Sequence, residues 1–257
     1  MTTIHLDKLL SGHVFVFLLI FCRVGSILML FPGLAESYVA PRLRMILALA
    51  ISFVLMEPLL PRMPAAPEAM GAMALLVGHE VLVGVFFGTV LRLVVNAIET
   101  AGSVVSLQTG LSNATILNPA LASQSPLASA FLGVAGVTLI FVTGLDHFFF
   151  LAIRALYEMF PPGGTIIISD MTQFIIQTVS HSFVVGVELA TPFLVMGLLM
   201  YMAIGMMQRL MPQVQLFLVA VPVQIWGGLA LLSLTVAGIM TFWLHYCDET
   251  VGALFGR

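Results

Sequence analysis

The chain has 257 residues, of which 60% are hydrophobic and 8% charged, against roughly 45–50% apolar and about 25% charged in an ordinary soluble domain. That balance places it in a membrane. A net charge of −3 with nine Lys and Arg leaves no basic surface to neutralise nucleic-acid phosphates or anionic lipid, so nucleic-acid binding is excluded.

A bilayer-spanning helix needs about 20 mainly apolar residues, and the pattern predicts an all-α integral membrane protein of about six kinked hydrophobic elements. Val14–Phe31 is the first, with Arg23 in its middle. Asp7 and Lys8 balance, and no A-x-A-like site precedes the turn after Phe31, so this segment is expected to be a retained span. Met45–Leu60 is short, and Pro58, Pro61, Pro64 and Pro67 mark the loop around its end. Ala69–Ile98 is long and holds His79, Glu80 and Arg92. Leu127–Leu156 breaks near Asp146-His147, and Pro161-Pro162-Gly163-Gly164 form a second loop. Met171–Gln208 is far longer than one span, and Val214–Tyr246 carries Pro222 and Gly227-Gly228. Pro192, Pro212 and Pro222 interrupt apolar runs. Such kinks at membrane depth are tolerated only where protein or a cavity covers the freed backbone groups, so much of the chain is expected to lie against other subunits. Lys8, Arg62, Arg154 and Arg257 on one side and Arg42, Arg44 and Arg209 on the other set no orientation.

Charges inside apolar spans are costly and mark functional candidates. Arg23 and Glu188 are the two central ones. Either they form a relay, as in a small-solute secondary transporter, or they pair across helices and with carbonyls to fix assembly. Inverted repeats around discontinuous helices would favour the transporter, and no convincing internal repeat is present. Gly84, Gly88, Arg92 and Asn96 recur every four residues, with Glu99 near the next turn, and so share a helix face. Small residues there permit close backbone approach and the polar ones bond across an interface, which makes this a protein-facing stripe. Met196, Met200, Met207 and Met211 also share a face. Methionine fills irregular gaps, so the stripe is read as adaptable core, with a compliant constriction as the competing reading.

Enzyme motifs fail. His79-Glu80 lacks the second His of a zinc-binding helix. Gly110-Leu111-Ser112-Asn113 lacks the context of an intramembrane serine hydrolase. There is no GxxxxGK[ST] phosphate loop, and Cys22 and Cys247 make neither a metal site nor a disulfide framework. No catalysis, metal or cofactor is expected. One stretch stands apart: Ser106–Ser129 is long, small and polar, and carries no charge.

Several stretches in order resemble one family. Arg23-Val24-Gly25 with Pro32, then Val39-Ala40-Pro41-Arg42-Leu43-Arg44, resemble the start of the FliR family, the R subunits of the flagellar type III export gate. Gly78-His79-Glu80 with Gly84 and Gly88 is similar to its third helix, and Leu107-Gln108-Thr109-Gly110-Leu111-Ser112, Ala114-Thr115 and Pro119 to its central loop. Arg209-Leu210-Met211-Pro212-Gln213-Val214, with Pro222 further on, is similar to its Pro-Gln segment. The T-type subunit of virulence type III systems is homologous, and the central-loop pattern resembles the flagellar branch more.

The resemblance implies a single export-gate domain over residues 1–257, folded like a P-type and a Q-type subunit fused together. Its partners would be five P subunits, four Q subunits and a B-type switch subunit, in the inner membrane at the flagellar basal body and projecting toward the periplasm. Unfolded flagellar proteins would be its passengers. It further implies a pore plug within loop 106–124, made of Ser106, Leu107, Gln108, Thr109, Gly110, Leu111, Ser112, Asn113, Ala114, Thr115, Ile116, Leu117, Asn118 and Pro119. Phe217 matches the family's constriction phenylalanine. Gly84, Gly88, Arg92, Asn96, Pro212 and Gln213 are assigned to subunit packing. Small uncharged residues suit a plug, because they hydrogen-bond modestly and avoid the desolvation cost of a buried charge.

Overall fold

A computed structural model describes residues 6–36, 38–112, 126–210 and 216–254. Its helices are α1 (Leu6–Leu30), α2 (Pro41–Leu59, followed by a 3-10 turn Leu60–Arg62), α3 (Met70–Gln108), α4 (Leu127–Thr143), α5 (Leu145–Met159), α6 (Ile168–Leu210) and α7 (Leu216–Leu254). No strand occurs among the described residues. Five helices, α1, α2, α3, α6 and α7, are long and apolar enough to cross a bilayer.

The expected break in the fourth element falls at Gly144, whose φ of 76° is left-handed. Only glycine takes that conformation at little cost, so one apolar run becomes two helices. Two boundaries move. Pro58, assigned to a loop, lies inside the last turn of α2. The third element does not end at Ile98 but runs to Gln108, so Ser106, Leu107 and Gln108 are helical. Thr100 and Ser103 explain the extension. Their hydroxyls donate to the carbonyls of Asn96 and Glu99, so these polar residues are satisfied by the helix itself.

The chain divides into two compact units. The first holds α1, α2, α3 as far as Arg92, the segment Asp146–Ile176 with most of α5, and the start of α6. Its core is Leu19, Ile20, Val24, Ile27 and Phe31 of α1 against Val83, Phe87 and Val90 of α3 and Ile153 and Leu156 of α5. Phe86 packs edge-to-face with Phe160 and Phe174, the ring centres 6.1 and 6.0 Å apart. The turn before α2 is held by Arg44, whose guanidinium donates to the carbonyls of Glu36 and Val39.

The second unit holds the rest of α3, α4, α6 from Gln177, and α7. Here glycines set the contacts. A Cβ on Gly102 would collide with the backbone of Ser129, one on Gly186 would lie 2.9 Å from the Ala97 carbonyl, and one on Gly136 would lie 3.0 Å from the buried Trp243 ring. Lipid tails are as apolar as leucine, so helices in a bilayer associate through close packing of this kind more than through hydrophobic burial.

Candidate functional site

The last turn of α3 and the residues after it form the root of the predicted plug. Three features of the second unit hold them. Ser106 Oγ accepts a hydrogen bond from the Ala128 amide at 3.1 Å, in the first turn of α4. The residue preceding that helix is Pro126, which offers no side-chain cap, so Ser106 takes the role that a capping serine usually plays on its own helix. The end of α3 and the start of α4 are thereby clamped together.

The second feature is the end of α3. Its last carbonyl, Gln108 O, accepts from Gln224 Nε2 of α7 at 2.6 Å. Thr109 Oγ1 donates back to Val105 O at 2.8 Å, and the Ser112 amide reaches Ser106 O at 3.2 Å. Gly110 then turns the chain at φ 75°, where a side chain is strained.

The third is close packing. Cβ atoms added at Gly197 and Gly228 would collide with the side chains of Gln108 and Thr109. Beside this root lies a cavity of about 180 Å³ lined by Leu107, Gly110, Tyr201, Gln208, Val221 and Gln224, among others. Asn113, Ala114, Thr115, Ile116, Leu117, Asn118 and Pro119 lie outside the described residues, as do Pro212 and Gln213. Phe217 belongs to the first turn of α7, outside the described side chains.

In the first unit the intramembrane charge resolves into a pair. Arg23 Nε lies 2.7 Å from Glu80 Oε2, and Arg23 Nη2 donates to Glu80 Oε1 at 3.0 Å. Both side chains are fully buried. Nη2 also donates to Phe160 O at 2.9 Å and Nη1 to Leu156 O at 3.4 Å, carbonyls at the C-terminal end of α5 that a cation suits. The guanidinium stacks 4.0 Å from the centre of the Tyr157 ring. One arginine therefore ties α1, α3 and α5 together. Glu80, half of the failed zinc motif, is its counter-ion, and His79 Nδ1 stands 3.3 Å from the same carboxylate.

Gly84 and Gly88 sit where spacing put them, on one face of α3. That face is taken up by the chain's own α1. A Cβ on Gly84 would collide with Ser26 Oγ and lie 2.5 Å from Arg23 O, and one on Gly88 would lie 2.8 Å from Leu30 Cβ. The two glycines therefore serve packing between helices of this chain. Arg92 and Asn96, the next two of the stripe, are half-buried. Glu188 is exposed on α6 in the second unit, and the methionine face is graded: Met196 and Met200 are half-buried, Met207 is exposed and Met211 lies outside the described residues. Among the described residues no group of three or more His, Cys, Asp or Glu could hold a metal ion.

The fold and its buried charge define an all-α integral membrane protein whose polar groups serve helix packing and a clamped loop. Residues 14–250 match the family model of bacterial export proteins, family 1, and the chain belongs to that family. It is 37% identical over 231 residues to the flagellar biosynthetic protein FliR of Caulobacter vibrioides, covering 90% of this chain and 92% of that one. Identity to FliR of Escherichia coli is 27% over 234 residues, covering 91% and 87%. With the Yop proteins translocation protein T of Yersinia pestis it is 26% over 152 residues, 58% of each chain. These matches agree with the resemblance drawn from the motifs. The family is one of protein export, not of enzymes.

Proposed function

We propose that this chain is the R subunit of a flagellar type III export gate in the bacterial inner membrane. With five P-type and four Q-type subunits, and a B-type subunit at the entrance, it forms the channel through which unfolded flagellar proteins leave the cell interior, and it projects toward the periplasm. The observation that carries the plug is the clamp at its root. A loop whose two ends are joined through Ser106 and Ala128, and whose base is closed by Gln224 and Gly228, has a fixed origin. An anchored uncharged loop blocks ions at low desolvation cost and leaves without breaking a buried ion pair.

The transporter alternative loses support. Arg23 is already committed to Glu80 and two carbonyls, so it offers no free cation to a solute. Deleting Gly110–Asn118 in cells that express the full gate tests the plug. A rise in ion leak across the membrane is expected, and a membrane as tight as wild type would refute the sealing role.

A further inference from the structure

Resting on the export-gate reading, we propose that the outward face of α6 around Glu188 is a contact between subunits, and that it receives a lysine or arginine from a neighbouring subunit. Glu188 is the sole carboxylate between Asp170 and Asp248. It is exposed, and among the described residues it meets no hydrogen-bond donor and no cation. Its surroundings are apolar: Phe183, Val184, Val195, Leu198, Leu199 and Met202 on the same stretch are all exposed.

Helix length decides what covers this face. The 43 residues of α6 extend roughly 64 Å at about 1.5 Å per residue, whereas the hydrocarbon core of a bilayer is about 30 Å thick. Exposed apolar side chains nevertheless run from Ile168 at one end to Leu210 at the other. Lipid can cover only half of that length, so the remainder needs protein against it. Glu188 has about 30 Å of helix on either side. Within the hydrocarbon, an ionised carboxylate facing lipid is costly and demands a partner. Outside the hydrocarbon, the same carboxylate sits in the apolar face that protein must cover, and burying it there without a counter-charge is as unfavourable. In both placements a cation from outside the chain satisfies the carboxylate.

The test uses the full chain expressed with its own apparatus. A photoreactive phenylalanine analogue is placed at Val184 or Val195, and the wild-type chain is purified in parallel to establish that partners are retained. Cross-links to a neighbouring subunit, at a peptide containing Lys or Arg, are expected. Glu188→Lys should then lower the amount of that partner retained by about tenfold or more, as loss of a desolvated charge pair does. Exchanging the partner's basic residue for Glu should restore it. Glu188→Gln, which adds no charge, checks that the chain still accumulates. Cross-links to lipid alone while wild type holds its partners, or full partner retention in Glu188→Lys, would overturn the proposal and leave the gate reading standing. A wild-type chain reproducibly free of partners would overturn both.

Discussion

Glu80→Ala strips Arg23 of its carboxylate while leaving the guanidinium buried between α1, α3 and the end of α5. Breaking a buried ion pair by removing one partner costs about 3–5 kcal/mol, because an uncompensated charge stays behind. The carbonyls of Leu156 and Phe160 and the Tyr157 ring remain in place, so the low end, about 3 kcal/mol, is the expected loss. In thermal unfolding of the detergent-purified protein this corresponds to a drop on the order of 10 °C. The decisive comparison is the double variant Arg23→Met with Glu80→Leu. Replacing both charges by apolar residues of similar bulk is often neutral or stabilising, so the pair of changes should recover most of what Glu80→Ala loses. If Glu80→Ala melts with wild type, or the double variant is worse than the single, the pair is not the fastener of this unit.

Adding one methyl at Gly84 should be harmful and at Gly25 harmless. Gly84→Ala meets Ser26 and the Arg23 carbonyl, whereas a Cβ on Gly25 meets nothing within 4 Å; the expected loss is about 1–3 kcal/mol for the first and a slight gain in helix propensity for the second, read as chain abundance and melting temperature. Ser106→Ala removes the cap on α4 and should cost about 1 kcal/mol, with slow ion leak in whole cells as the sharper readout; a tight membrane with normal export would count against the clamp. Gly110→Asp puts a charged side chain at a left-handed turn beside the cavity and should reduce motility and secretion of flagellar subunits, with chain abundance followed to separate misfolding from blockage.

Local patterns carried the helices and left their partners open. The four-residue spacing put Gly84 and Gly88 on one face, but spacing holds no information on which helix lies opposite, and α1 occupies it. Arg23 was marked by its cost in an apolar run. Its partner Glu80 lies 57 residues away in sequence and stood in a motif dismissed for another chemistry, so nothing local joined the two. Gly102, Gly136 and Gly186 also lie at close helix contacts, yet they are isolated in sequence and form no stripe to notice. The apolar run ends at Ile98 while the helix continues, because the hydroxyls of Thr100 and Ser103 are bonded to the helix's own carbonyls. The clamp from Ser106 to Ala128 spans 22 residues and is visible only once α4 is placed.

These contacts share a physical cause. In water, a helix hides its apolar face and gains from doing so; between helices in lipid that gain is absent, and geometry must supply specificity instead. The chain meets this with two devices. Glycines let backbones approach until a carbonyl of one helix would touch a methyl of the next, as at Gly84 against Arg23 O and Gly186 against Ala97 O. A few polar side chains close the backbone ends that lipid cannot satisfy, as Arg23 does for Leu156 and Phe160 and Gln224 does for Gln108. Removing a large apolar side chain from the exposed faces should therefore matter less to this chain alone than adding one methyl at its helix crossings. The reverse order holds for an exposed face once a neighbouring subunit packs on it, so Leu198→Ala on α6 should leave the isolated chain's stability unchanged and weaken retention of partners. Equal losses in the isolated chain from Leu198→Ala and Gly84→Ala would show that burial, and not backbone approach, holds these helices together.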